Sequence, residues 1–343
     1  MKILVTGAGG FLGKLIVERL LAHGQTEIRC MLRDTSKAKG LEEIARRFPE
    51  ARLEMVAVNL RNPAEIGPAV AGCEMVIHAA AALSGSPAEM FMDSVVASRN
   101  LLDAVAPLSN QMKPVRVVLV SSFGAMGVSQ LGRGAMVDEA TPMETHPEWR
   151  DVYSYSKLRQ EQLFWEYRER FEFELVVLRP GVIYGPGGGH FSNRVGLSLF
   201  GTFLHLGGSN LLPLTYVENC AEAIVVAALY PGADGQIYNV VDDDLVTSGQ
   251  YLALYKKNVR PMRSVPVPYF ALMWASKAVE GYSRRSKGQL PAIFTPYKTR
   301  AMWGGNKFSN AKLKGIGWRP VVSTREGLGR AFAAFRVEPV KAK

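Results

Sequence analysis

Short apolar runs alternate with segments of helical period through the first half of the chain. The runs cover residues 2–6, 27–32, 52–58, 74–78, 115–121 and 173–178. Each has the length of a buried strand and is bounded by polar or glycine-containing stretches. Between the first two runs, Lys14 to His23 places Leu15, Ile16, Leu20 and Leu21 at helical spacing. This alternation predicts an α/β fold with a parallel, doubly wound sheet and helices on both faces. Crossovers in such sheets are right-handed, and ligands bind beyond the carboxyl ends of the strands.

The pattern loosens after Pro186. Gly187-Gly188-Gly189 opens a less regular region, and Ile237 to Val241 reads as a returning strand. The chain therefore divides into a sheet-forming part, 1–186 with the returning strand, a less regular part from 187–235 and 242–335, expected to bind substrate once the motifs below are read, and a tail, 336–343. Residues 123–152 show no clear period and read as a loop, either one wall of the substrate site or a plain surface connection. Tyr269 to Tyr282 carries Phe270, Leu272, Met273, Trp274 and Val279, with Arg284, Arg285 and Lys287 behind it. An apolar helix with a basic flank suits either core packing or a membrane interface over 269–287.

Composition changes this picture little. A chain of 343 residues with 48% hydrophobic and 21% charged residues buries a large core. No run reaches the ~18 apolar residues of a membrane-spanning helix. The first strand begins at residue 2, which leaves no room for a signal peptide. Cys30, Cys73 and Cys220 lie in apolar segments without metal spacing, as expected of reduced thiols in the cytoplasm. The excess of 41 Lys and Arg over 31 Asp and Glu gives +10. No nucleic-acid module accompanies it, and a surface that attracts an anionic cofactor accounts for it.

Two patterns carry chemistry. Gly7-Ala8-Gly9-Gly10-Phe11-Leu12-Gly13 stands between the first strand and the first helix. In that context Gly7 permits the turn, Gly10 lets backbone approach a pyrophosphate, and Gly13 lets helix and strand pack. The second is Tyr153-Ser-Tyr-Ser-Lys157, which puts a phenol and an ammonium on one helix face. A nearby cation favours phenolate, so the pair exchanges a proton with a substrate oxygen.

The Gly7, Gly10, Gly13 spacing and the Tyr153–Lys157 pair resemble the extended branch of the short-chain dehydrogenase/reductase superfamily. Further matches follow in order: Val76-Ile77-His78-Ala79-Ala80, Val117 to Ser122, Leu178-Arg179-Pro180-Gly181-Val182-Ile183-Tyr184-Gly185-Pro186, Tyr216-Val217-Glu218-Asn219, Phe308-Ser309-Asn310-Ala311-Lys312 and Gly317-Trp318-Arg319-Pro320. The resemblance implies a Rossmann-type sheet with a smaller, mostly C-terminal substrate region, and a catalytic set of Ser122, Tyr153 and Lys157. Ser121 is the alternative serine; strand alternation points the two in opposite directions. Tyr153 is the expected general acid in reduction, and Lys157 lowers its pKa and binds the nicotinamide ribose. Cofactor contacts are implied at Phe11 and Leu12 beside the glycines, at Ala79 and Ala80 after the fourth strand, and at Pro180 and Val182 after the sixth.

The second strand ends in Leu32 and Arg33, with Lys37 behind and Asp34 one place late. An arginine there accommodates the 2′-phosphate of NADP, whereas an acid binds the ribose of NAD. NADP(H) is therefore favoured over NAD(H), as in the dihydroflavonol reductase-like group; pairing of Arg33 with Asp34 is the alternative. Asn59, followed by Leu60, stands where an Asp commonly meets the adenine. Ser94 stands where many relatives have Asn, which bears on the hydrogen bonds behind Lys157.

No acid follows Ser122, which argues against dehydration. Val182 replaces the Asn that holds a nucleotide diphosphate in many epimerases, which leaves Arg194, Arg260, Arg263 or Arg300 to bind a substrate phosphate in that reading. The expected activity is a ketone–alcohol interconversion on a bulky apolar small molecule, resembling the hydroxysteroid dehydrogenase and dihydroflavonol reductase groups. The alternatives are a sugar-nucleotide epimerase that retains NAD and a non-catalytic nucleotide-binding subunit. A homodimer is common in the family.

Overall fold

A computed structural model describes residues 1–110, 114–199, 201–286 and 294–337. Seven parallel strands form the central sheet: β1 (Ile3–Thr6), β2 (Glu27–Leu32), β3 (Arg52–Ala57), β4 (Met75–His78), β5 (Arg116–Val120), β6 (Glu174–Pro180) and β7 (Gln236–Val240). Their spatial order is β3-β2-β1-β4-β5-β6-β7. The chain reverses direction across the sheet between β1 and β4, where a crevice opens at the carboxyl ends.

Side-chain alternation builds two cores. Ile3, Val5, Cys30, Ile77, Val118 and Val176 face one side. There α1 (Gly13–Ala22), α2 (Lys39–Arg47) and the later helix α6 (Val217–Leu229) cover them. Leu4, Val76, Val117, Leu119, Leu175 and Val177 face the other, under α3 (Pro63–Val70), α4 (Ala97–Val105) and α5 (Val152–Arg170). Burial on both faces explains why the strands read as continuous apolar runs. All three cysteines are buried and free, and burial pushes the Cys30 thiol up to about 12.

The C-terminal region grows around short strands. Val182–Tyr184 pairs with Leu214–Tyr216, and Thr202–His205 lies between Gly196–Leu199 and Ser264–Pro266. Helices α7 (Ser248–Asn258), α8 (Tyr269–Arg285), α9 (Pro296–Trp303) and α10 (Thr324–Val337) complete it. The terminal motifs act as clasps. Asn219 donates to Val322 O (2.8 Å) and Asp242 Oδ1 (2.9 Å) and accepts from Val322 N (2.9 Å). Buried Trp318 donates to Asn219 O (3.2 Å), and Asn310 reaches Val241 O (2.9 Å).

The 123–152 segment differs from a plain loop. Met136–Val137 pairs with Lys307–Phe308, and Phe123 stacks on Phe308 at 5.7 Å. Glu139 accepts from Asn239 N (2.8 Å) at the sheet edge. Its middle packs into a small core with Ala301, so only its two ends reach the site. Helix α8 packs inward through Leu272 and Ser276, whose hydroxyl meets Thr299 Oγ1 at 2.6 Å. Outward it leaves Phe270 77% and Trp274 74% exposed. Lys287 lies outside the described residues. No helix among the described residues is long and apolar enough to cross a membrane.

Candidate active site

The glycine turn sets the first geometry. Gly7 has φ +68°, and a Cβ on Gly13 would lie 2.0 Å from Gly7 O, so α1 seats on the turn only without that side chain. Gly10 N donates to Gly7 O (2.9 Å). A Cβ on Gly10 would meet only Gly7 O, at 3.1 Å; the rest of its surroundings is open cavity. The first turn of α1 holds no acidic residue, so its N–H groups and dipole face the crevice unopposed. This cradle fits a dinucleotide pyrophosphate. The glycine spacing gives Gly9 no role, yet a Cβ there would strike Lys37 Cβ (2.8 Å) and Leu32 (2.9 Å).

At the far end of the crevice Arg33 is 71% exposed in its side chain and pairs with Asp93 (3.3 Å), not Asp34. Arg61 reaches the same carboxylate at 2.5 Å. Asp34 instead caps the next turn, accepting from Ser36 N (2.9 Å) and Ser36 Oγ (2.7 Å), which holds its pKa below the ordinary value. Asn59 Oδ1 accepts from Arg61 N (3.1 Å), so the side chain is engaged locally. Arg61 escapes a sequence reading because it lies in a turn between β3 and α3, away from the expected arginine position.

Ser122 follows β5 in extended backbone, and its hydroxyl accepts from Gly124 N (3.0 Å) and hydrogen-bonds Tyr153. Asp151 caps α5 by accepting from Ser154 N (3.0 Å), which fixes Tyr153 in the first turn and Lys157 one turn later. Ser121 points away and donates to Glu161 Oε2 (2.5 Å). Glu161 is completely buried and pairs with Arg179 at 2.5 Å.

Lys157 differs from expectation. Its ammonium donates to Val120 O (2.8 Å) and Gln160 Oε1 (2.9 Å). Burial lowers its pKa to about 8, with Glu161 opposing. The Tyr153 pKa is raised, not lowered: burial pushes it up, the Ser122 bond pulls it down, and Asp151 adds to the rise. Both groups are desolvated and the ammonium is tied to other oxygens, so its charge does not offset the burial of the phenol.

The Ser94 departure is absorbed by a different network. A π-helical turn at Met92–Val96 precedes α4. Gln160 Nε2 donates to Ser98 Oγ (2.7 Å) and Ser94 O (3.4 Å). Ser98 meets His78 Nε2 (2.9 Å), whose Nδ1 meets Thr6 Oγ1 (2.8 Å). Burial lowers the His78 pKa to about 3, so the ring is neutral.

One cavity of about 1540 Å³ joins these parts. Its walls include Gly7, Gly10, Phe11, Leu12 and Gly13; Arg33, Lys37, Asn59 and Leu60; Ala79 and Ala80; and Pro180 and Val182. Ser122, Tyr153 and Lys157 lie on the same wall system. The end opposite Arg33 is apolar, with Phe191, Leu197, Leu212, Phe294, Met302 and Trp303, and Arg194 also lines the cavity. These residues come from irregular segments and α9, where no periodic signal marks a site. No cluster of potential metal ligands occurs among the described residues.

Known proteins resemble this chain in sequence and in fold. The chain is 27% identical to a 2-alkyl-3-oxoalkanoate reductase of Shewanella oneidensis, over 96% of this chain and 85% of that one. It is 26% identical to a 3beta-hydroxysteroid-dehydrogenase/decarboxylase of Arabidopsis thaliana, over 97% of this chain and 61% of that one. In fold it is similar to gox2253 (TM-score 0.77, 22% identity, 99% of each chain). It is likewise similar to the UDP-glucose 4-epimerase of Thermus thermophilus in complex with NAD (TM-score 0.68, 23% identity, 98% of this chain and 99% of that one). The NAD dependent epimerase/dehydratase family profile matches residues 3–240, from the first strand to the seventh. The chain therefore belongs to that family and is an extended short-chain dehydrogenase/reductase enzyme.

Proposed function

We propose that this enzyme interconverts a ketone and a secondary alcohol on a bulky, largely apolar small molecule, preferring NADP(H). One observation carries the reading: Ser122, Tyr153 and Lys157 share a cavity with the glycine cradle at one end and an apolar chamber at the other. The relatives named as a reductase and a hydroxysteroid dehydrogenase support it. Gly7–Gly13 would hold the pyrophosphate of NAD(P)H, and the bound cofactor would supply the hydride for the carbonyl carbon. Ser122 orients the carbonyl oxygen against Tyr153, which gives its proton to that oxygen; oxidation reverses the transfer. Buried Lys157 fixes the positive charge near the phenol. The preference for NADP(H) rests on Arg33 and Arg61 at the adenosine end, with no acid at the end of β2.

Titration with NADPH and NADH, read by nicotinamide fluorescence, tests the cofactor. Tighter binding of NADPH is expected, and Arg33→Asp should weaken it by about 10-fold or more. Equal affinity for the two cofactors in the wild type would defeat the preference.

The outer face of α8 is proposed to contact an anionic lipid surface. Phe270 and Trp274 are exposed beside Lys277, Arg284 and Arg285 on a chain of net charge +10. The inner face of α8 packs on α9, a wall of the apolar chamber, so a lipid surface bound at the outer face would lie next to the substrate end. Co-sedimentation with phosphatidylglycerol vesicles, lost in Phe270→Ser/Trp274→Ser and absent with phosphatidylcholine, is expected. Equal recovery of wild type and double variant with anionic vesicles would remove the proposal.

A further inference from the structure

The apolar chamber contains a cation held in place by the fold. Arg194 N donates to Ser192 Oγ (3.2 Å), and Trp303 Nε1 donates to Arg194 O (3.1 Å). Its guanidinium donates through Nη1 to Met302 O (3.1 Å). The backbone is thus anchored from two directions, and the head is fixed from behind. A guanidinium has five N–H donors, and one carbonyl satisfies few of them.

The neighbouring charges are committed elsewhere. Arg150 pairs with Glu144 (2.7 Å) and also reaches Met126 O (3.2 Å) and Ser154 Oγ (3.3 Å). The Asp151 carboxylate accepts from Ser154 N (3.0 Å) and Ser154 Oγ (2.8 Å). Arg194 forms no ion pair among the described residues, although both Arg150 and Asp151 lie close enough to influence its charge. Arg194 lines the same cavity as Ser122 and Tyr153. Burial lowers its pKa to about 10, which leaves it charged at neutral pH.

A desolvated guanidinium among Phe191, Leu197, Met302 and Trp303 is costly unless an anion meets it. We propose that Arg194 is a specificity-determining residue that binds a carboxylate on the substrate, near the oxygen that Tyr153 serves. The substrate class is then an oxo or hydroxy acid with a bulky apolar body. This rests on the reductase reading above and narrows it. The planar fork of Arg matches a carboxylate with two parallel hydrogen bonds.

The test compares β-hydroxydecanoate with its methyl ester in the oxidation direction with NADP+. The wild type should favour the acid in kcat/KM by about 10- to 100-fold. Arg194→Met should collapse that ratio to about 1, and Arg194→Lys, which keeps the charge, should recover part of it. The Kd for NADPH, measured on the same variants, should move by less than about twofold. A wild type indifferent to the ester, an Arg194→Met that loses acid and ester alike, or a parallel loss of NADPH affinity would each overturn the proposal. The last result would assign the guanidinium to a cofactor phosphate. If neither compound is oxidised, calorimetric binding of β-hydroxydecanoate decides. Saturable binding lost in Arg194→Met upholds the carboxylate site while the reductase reading fails; no binding overturns both.

Discussion

Lys157 is the residue whose burial has the most direct functional consequence. Its folded pKa of about 8 lies below the ordinary 10.5. Above pH about 8 the folded protein loses this proton while the unfolded chain keeps it up to about 10.5. Stability from this group therefore rises with pH through that window, whereas the charge beside Tyr153 disappears. Reduction should show a high-pH limb near pH 8, set by Lys157 and not by Tyr153, whose pKa is raised. Steady-state profiles of kcat/KM check this, with Lys157→Arg moving the limb upward; a limb unmoved by that change would exclude Lys157 as its source. At this scale strand alternation separates Ser122 from Ser121, because adjacent strand residues face opposite sides. The sequence offers Arg194 only as one of four candidate anion-binding arginines, with Arg260, Arg263 and Arg300, since nothing local to positions 187–199 distinguishes a cavity-facing arginine from a surface one.

At the scale of elements, motifs at the C-terminal end gain a physical meaning. Asn219 lies in the first turn of α6 and holds Val322 from both its amide nitrogen and its oxygen, while its backbone carbonyl takes the Trp318 indole. Asp242 completes the clasp by accepting from Tyr216 N (2.9 Å), and burial raises its pKa to about 6. Asn219→Ala leaves Val322 N–H and C=O buried without these partners and should cost about 2–4 kcal/mol, read by urea unfolding. A loss below about 0.5 kcal/mol would show that water replaces the clasp. β1, β4, β5 and β6 are legible because they are buried on both faces and apolar residues dominate them, whereas β3, at the sheet edge, alternates Leu53 and Met55 with exposed Arg52 and Glu54. The 136–137 strand is not legible: two residues carry no period, and its partner lies far along the chain at Lys307–Phe308.

For the whole molecule, the large cavity is lined from both the sheet-forming half and the segments after Pro186. The sheet supplies the glycine cradle and the Ser122 edge; the segments after Pro186 supply the chamber. The first part can be read from local order because strand, turn and helix are contiguous there. The second is assembled from Phe191, Leu212, Phe294 and Trp303, which share no local pattern and meet only in the folded chain. A ligand spanning both regions should stabilise them together. At 100 times its Kd, NADPH should add about 2.7 kcal/mol, seen as one cooperative transition moved to higher temperature. Unfolding in two steps, with only the first-half transition responding, would show that the regions are energetically separate.

The glutamine behind Lys157 has a bearing on proton traffic. Gln160 receives the ammonium on its oxygen and gives its own N–H to Ser98. An amide accepts at one atom and donates at another, and it passes no proton between them while it keeps its stable tautomer. The chain of contacts from Lys157 to His78 and Thr6 is therefore an insulator as well as a scaffold. On the proposed mechanism, the proton that Tyr153 gives to the substrate is therefore not replaced through Gln160.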